Sequence, residues 1–323
     1  MRRRVVAMGK SLGKARQLVQ VVASHRQREG GGFVVRRPFP GGLSDQQADP
    51  FLLLDELGPV EYRRGEFPGA PAHPHRGFST LTYLKAGEGR HEDSLGNTGV
   101  IRAGGAQLMH AASGIIHDEG RDHPGGKLHG FQLWINSPAS RKMEAPSYQD
   151  VSKKMLPEAD VAPGVHVKAI VGPVLTLDPA GTGEAEVVVE SPVQPVTPVH
   201  YLDYQLEDGS TWTHVVPRGC DTVLLYVYEG TCLVNGQKMA VEGDLAVFAE
   251  AGSDHVYLEA RGGPCALLAL AGKKLREPVV RQGPFVMASE RDLRQAFLDY
   301  QAGPNVFCKQ KAEVLPLSMQ SRG

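Results

Sequence analysis

Two short motifs constrain this chain more than anything else in it: His73-Pro74-His75 and, further on, His117-Asp118-Glu119. Each sets two ligand-capable side chains at i and i+2, a spacing that shares one face in an extended strand. Two such strands side by side would project three imidazoles and one carboxylate into a single cavity. Three neutral nitrogens and one anionic oxygen, without sulfur, suit iron, nickel, copper, manganese or cobalt better than structural zinc. His73, His75, His117 and Glu119 are therefore the candidate ligands of a metal-centred site.

The neighbourhood supports that reading. Seven of the twelve histidines fall between positions 73 and 129, so the residue type is concentrated where the motifs lie. The segment Ala112-Ser113-Gly114-Ile115-Ile116 leads directly into His117-Asp118-Glu119. A buried strand that turns polar needs partners for its polar groups, and a metal is one way to supply them. Other histidines read differently. His123 precedes Pro124-Gly125-Gly126 and reads as a solvated loop residue, while His129, within the strand-like run Leu128 to Ile135, reads as a satisfied core histidine. His91 reads as the exposed end of a strand at the cavity mouth, and His110 is left open.

Glycine (38) and proline (23) are plentiful and aromatics few, which fits short strands joined by tight turns rather than long helices. A formal net charge of −1 gives no global field for nucleic acid, and no helix-turn-helix or zinc-finger pattern is present. Cys220, Cys232, Cys265 and Cys308 form no CxxC pair and read as free thiols in a reducing compartment. No stretch has the length of a transmembrane helix and no apolar h-region marks a secretory signal, so the expected location is intracellular, cytoplasmic or nuclear. The basic start, Met1 to Arg28, has no acidic residue before Glu29 and reads either as an organelle-targeting segment or as a partly disordered basic tail.

Strand signals come in two batches, from about Gly32 to Ile135 and from about His200 to Ala271. Asn136 to Asp150 reads as a loop or short helix crossing between halves, and Pro192 to Pro198 as a second connector. Asn235-Gly236 has the chemistry of a type I′ hairpin turn. Ser289 to Tyr300 reads as an amphipathic helix with Ser289 as its N-cap. The expected fold is all-β, with two consecutive barrels and a short C-terminal helix. Its expected divisions are a basic extension (1–28), an N-terminal barrel with the metal site (29–150), a connecting segment (151–198), a C-terminal barrel plus closing helix (199–303) and a tail (304–323). In the second half His214 and His255 have no HxH partner, so no metal is expected there.

The runs HPHRGFSTLTYL (His73 to Leu84), SGIIHDE (Ser113 to Glu119) and HGFQLWINSPASRKMEAPSYQD (His129 to Asp150) closely resemble the pirin family of the cupin superfamily. EGGGFVVRRPFPG (Glu29 to Gly41) and EPVVRQGPFVM (Glu277 to Met287) are similar to that family's opening and closing segments. The resemblance implies a bicupin: two jelly-roll barrels, with one metal in the first. It implies that His73, His75, His117 and Glu119 hold that metal, usually iron, with copper, nickel, manganese, cobalt or zinc as alternatives. The chain departs from the family at Ser79, where many pirins have glutamate, at Ala103-Gly104-Gly105 in place of a proline-glycine-aspartate turn, and around His110 and Ser113.

Two kinds of function follow from the resemblance, and fold alone does not choose between them. One is quercetin 2,3-dioxygenase activity, in which the central ring of a flavonol is opened with O₂ and carbon monoxide is released. The other is a non-enzymatic, iron-dependent regulator that binds a protein partner such as a transcription factor. The first is favoured because three neutral histidines and one carboxylate leave net positive charge on a divalent ion, which suits a deprotonated flavonol. Glu119 is then the expected base, and His91 and Gln132 the residues that orient substrate. A monomer is the expectation for this family.

Overall fold

The structure, a computed structural model, describes residues 15–120, 122–177, 185–315 and 317. Its strands alternate between two environments, and that alternation is what builds the site. In Phe78–Ala86, Leu81 and Tyr83 face one way and Phe78, Thr80, Thr82 and Leu84 the other. The neighbouring strand Gly126–Asn136 repeats the pattern, with Phe131, Leu133 and Ile135 on the side of Leu81 and Tyr83.

Two β-sandwich barrels result. The first has an eight-stranded sheet ordered His25–Glu29, Phe33–Phe39, Phe51–Tyr62, Gly126–Asn136, Phe78–Ala86, Ala106–His110, Ser147–Val151, Glu313–Val314. A four-stranded sheet completes it, ordered Ala70–His75, Ile115–Glu119, Glu88–Asp93, Thr98–Arg102. In the second barrel a seven-stranded sheet includes Thr222–Glu229, Cys265–Gly272, Val199–Leu206 and Val165–Val171, accompanied by a four-stranded sheet from Thr211–Val215 to Lys238–Val241. The architecture is the expected pair of all-β barrels.

The largest apolar cluster joins the two barrels. Leu54, Leu81, Phe131 and Leu133 from the first large sheet pack with Tyr201, Leu224, Leu268 and Leu270 from the second. A polar knot crosses the same interface: buried Asp203 accepts hydrogen bonds from Tyr83 (2.8 Å), Lys85 (2.8 Å) and Tyr228 (2.6 Å). The interior of the second barrel is filled with Val, Leu, Ala and Cys side chains, among them Val167, Val227, Cys232 and Leu258. The interior of the first holds a cavity instead.

Several local expectations differ from what the chain does. Within 1–28, Met1 to Lys14 lies outside the described residues, but Leu18–Ala23 is a strand paired with Asp244–Phe248, so it closes the second barrel. The N-terminal part of the chain therefore crosses to the far domain. Asn136 to Asp150 does not cross between halves: after a 3₁₀ turn at Ala139–Arg141, Ser147–Val151 returns to pair with Ala106–His110. The helix Glu290–Gln301, capped by Ser289 Oγ accepting from Asp292 N, packs beside Phe285 and Met287 and is tied to the first barrel by Arg76 and Asp299 (2.7 Å). It thus closes the first barrel rather than the second, because its apolar face finds Phe285 and Phe307 there. Asn235 and Gly236 both have positive φ (53° and 65°), as a type I′ turn requires. Among the described residues no helix is long and apolar enough to cross a membrane.

Phe131 is fully buried in the shared core, between Tyr83 and Tyr228. Phe131→Ala is expected to cost about 3–5 kcal/mol, read as a lowered midpoint in denaturant unfolding followed by far-UV circular dichroism. A midpoint equal to that of the parent would show that the two sheets do not depend on this packing.

Candidate metal centre

Ala70–His75 and Ile115–Glu119 run antiparallel, with His73 opposite His117 and His75 opposite Ile115. The i, i+2 rule then puts His73, His75 and His117 on one face. Their rings gather tightly, with centroids 4.5 Å (His73 to His117), 4.7 Å (His73 to His75) and 5.0 Å (His75 to His117) apart. One ligand atom from each lies within 4.8 Å of the others. A register shift after His117 brings Glu119 opposite Ala70. Gly69, at φ +60°, makes that close approach possible, since a Cβ there would sit 2.4 Å from the Glu119 carbonyl oxygen.

Protonation follows from burial. Burial lowers the His117 pKa to about 4 and takes His75 well below the ordinary histidine value, so both rings are neutral near pH 7. Both nitrogens of His117 are buried without a hydrogen-bond partner. His73 Nδ1 meets the Pro71 carbonyl at 2.9 Å. A carbonyl only accepts, so Nδ1 carries the proton and Nε2 presents its lone pair. Burial tends to raise Glu119, but His117, His73 and the Gln132 amide outweigh it and hold the carboxyl below its usual value. Neutral imidazoles beside an ionised carboxylate are the protonation states that divalent metals require. Buried, unpartnered ring nitrogens are costly unless something binds them. The donor set fits a divalent ion.

Glu119 stands apart from the three rings. Both of its oxygens accept from Gln132 Nε2, at 3.2 and 3.1 Å. Gln132 Oε1 in turn accepts from Trp134 Nε1 at 3.2 Å. An indole only donates and a carboxylate only accepts, so this chain fixes which end of the amide faces which neighbour. His91 lies opposite Glu119 on Glu88–Asp93 and stacks on Tyr148, with centroids 5.1 Å apart and planes 5° from parallel. Gly99 leaves room for that ring, since a Cβ there would lie 2.4 Å from His91 Cε1.

Most of these groups border one cavity of about 770 Å³, within the range of small-molecule sites. His73, His75, His91, Glu119, Gln132 and Trp134 line it, with Phe33, Leu53, Leu57 and Leu84 among its apolar walls. His91 was expected at a strand's exposed end and is in fact buried. His123 was expected in solvent. It is buried against Phe67 and Tyr62, because a loop aromatic folds over it. His129 pairs with buried Glu56 at 3.0 Å on the inter-barrel side, and His110 meets Ser79 at 3.1 Å. Trp134, Asp55 and Arg37 were not singled out from the sequence, yet all three line the cavity. Alternation around Gln132 was the available signal for Trp134.

Comparison with known proteins identifies the family. The pirin family model matches residues 32–135, and the model of the pirin C-terminal cupin domain matches residues 201–306. A protein of Pseudomonas aeruginosa, provisionally named as a quercetin 2,3-dioxygenase, is 38% identical over 302 residues, covering 89% of this chain and 97% of its own length. The chain belongs to the pirin family. Human pirin is 34% identical over 307 residues, covering 93% of this pirin and 97% of its own length. A crystal structure of quercetin 2,3-dioxygenase from Acinetobacter baumannii superposes with a TM-score of 0.81 at 30% identity, covering 91% of this pirin and 99% of that chain.

The purified chain is expected to bind one divalent ion, and His75→Ala to weaken that binding at least about tenfold, measured by elemental analysis after equilibrium dialysis. Parent-like affinity in His75→Ala would remove this cluster as the metal site.

Proposed function

We propose that this pirin is a flavonol 2,3-dioxygenase of the quercetinase type, with one divalent metal, iron first, held by His73, His75 and His117 with Glu119 beside them. One observation carries the reading: the His73, His75 and His117 rings cluster beside the Glu119 carboxylate at a cavity of about 770 Å³ that also has many apolar and aromatic lining residues. The names given to the Pseudomonas and Acinetobacter relatives point to the same chemistry.

A bound divalent ion would supply Lewis acidity toward the flavonol oxygen and a template for O₂. The chain's own residues do the rest. Glu119 is the base: its carboxylate, held toward the cavity by Gln132, accepts the proton of the flavonol hydroxyl. Trp134 fixes Gln132, so the carboxylate is presented in one orientation rather than swinging in the cavity. His91, locked by its stack on Tyr148, offers a second polar edge to the substrate. Phe33, Leu53 and Leu84 exclude water from the flat faces of an aromatic ligand. The overall reaction balances as one flavonol and one O₂ giving one ring-opened ester and one carbon monoxide.

Protein reconstituted one-to-one with Fe(II) is expected to consume quercetin in air and to release carbon monoxide, with both signals lost in His75→Ala. Glu119→Gln is expected to retain much of the metal while kcat falls by about 100-fold or more. Full metal occupancy with no turnover by the parent protein would overturn the dioxygenase reading. Undiminished turnover in Glu119→Gln would overturn only the base role.

A further inference from the structure

The cavity carries a second polar group besides the histidine cluster and Glu119. Across the eight-stranded sheet, Gln132 lies opposite Asp55 on one side and Thr82 on the other, and Thr82 lies opposite Gln107. Four consecutive strands thus place one polar side chain each in a single row, and all four residues line the cavity. The second barrel's interior is mostly apolar instead, with Tyr204 hydrogen-bonded to buried His214. At the end of the row Asp55 accepts from Arg37 Nε at 2.6 Å and from Arg37 Nη2 at 2.5 Å, and Arg37 also pairs with Glu29 at 2.7 Å. Asp55 and Arg37 are sheltered, and Glu29 is about one-third exposed (35%).

Stability does not explain this group. A buried ion pair is often no better than apolar residues of the same volume, so charges in a cavity wall are weak structural cement. Their surplus sign is informative: two carboxylates face one guanidinium. Of the other charged lining residues, Arg90 pairs with Glu88, Arg281 with Asp45, and Glu119 accepts from the Gln132 amide, while Gln27 donates to Glu29. Burial raises the Asp55 carboxyl to about 6, which still leaves it mostly ionised at neutral pH. An ionised carboxylate keeps acceptor capacity after bonding a guanidinium, and its natural partner is a neutral hydroxyl donor. Gln132 links the two groups, bonded to Glu119 on one side and one strand spacing (about 4.8 Å) from Asp55 on the other.

We propose that the Asp55–Arg37–Glu29 group is a specificity site that binds the hydroxyls on the ring of an aromatic substrate remote from the histidine cluster, and so selects catechol-type substrates. This rests on the flavonol reading above and adds to it which flavonols are preferred. The ligand would be bipolar: a deprotonated oxygen at the histidine end, and neutral donors at the Asp55 end.

Binding rather than turnover tests this. Trp134 lines the cavity, whereas Trp212 lies in the second barrel on Thr211–Val215, so a Trp212→Phe background gives a fluorescence signal from the cavity alone. Dissociation constants would be measured under nitrogen, on protein loaded with one equivalent of Zn(II). The ligands are three flavonols whose outer ring carries no hydroxyl, one at 4′, or two at 3′ and 4′. The dihydroxy compound is expected to bind about tenfold more tightly than the unsubstituted one. That preference is expected to fall below about threefold in Asp55→Asn. Should Asp55→Asn not fold, Arg37→Met/Asp55→Leu removes the pair as a unit and is expected to give the same loss. Equal binding of all three by the parent, or a preference that survives in the variants, overturns the specificity site and leaves the flavonol reading standing. No quenching by any of the three overturns the flavonol reading and the specificity site with it.

Discussion

The pairing of Ala70–His75 with Ile115–Glu119 is the constraint on which the site depends. Side chains alternate with a period of two, so a slip of one residue would turn His117 away from His73 and His75. The register is held on both sides of Ile115–Glu119: His117 also pairs with Asp93, and Glu119 with His91. At the far end of the first strand, Arg76 follows His75 directly and is almost fully buried. Its guanidinium binds Asp299 and the Phe307 carbonyl, and lies 4.4 Å from the Phe307 ring centroid. Val286 N donates to the Arg76 carbonyl, adding a backbone tie from the same closing segment. The C-terminal helix is therefore part of the frame that holds the histidines.

The same alternation explains why one barrel is full and the other hollow. In both, the large sheet turns one face to the shared core, where Leu81, Phe131 and Leu133 meet Leu224, Leu268 and Leu270. That shared core supplies stability from outside the first barrel's interior. Thr82, Gln132 and Asp55 can then occupy inward positions that an isolated barrel would have to fill with apolar side chains. In the second barrel Val167, Leu225, Val227 and Leu267 do fill them. A cavity that would otherwise be an energetic liability becomes tolerable because packing energy is gathered at the inter-barrel seam.

Legibility in the sequence tracks the range of the interaction. The histidine pairs were readable because i and i+2 on a strand is a local rule, and the hairpin at Asn235-Gly236 and the cap at Ser289 were readable for the same reason. The polar row from Asp55 to Gln107 was not, since its members are set side by side only by cross-strand register. Arg37 and Asp55, 18 positions apart, look in sequence like two ordinary charges. His123 looked solvated because its own neighbours are turn formers, whereas Phe67 and Tyr62, brought over from another segment, pack against it. Leu18–Ala23 sits in a basic stretch, yet Leu18 and Val21 find an apolar surface on the second barrel that no local pattern announces.

Chemistry at the histidine cluster follows from placing titratable groups where water is scarce. Burial, helped by the neighbouring rings, keeps His75 and His117 neutral, which is the form that donates a lone pair. The same burial tends to raise Glu119, but the adjacent rings, in the acidic range where they carry charge, and the Gln132 amide hold its carboxyl below the usual value. One environment thus produces opposite outcomes in two residue types, and each outcome is the one a metal-assisted proton transfer needs. Gln132 is central to this because it serves two neighbours at once. Its donor end holds Glu119, and its acceptor end is occupied by Trp134, so the amide cannot flip without breaking a bond on each side. The carboxylate's position is therefore set by a tryptophan two residues along the strand, through an amide whose orientation that indole enforces.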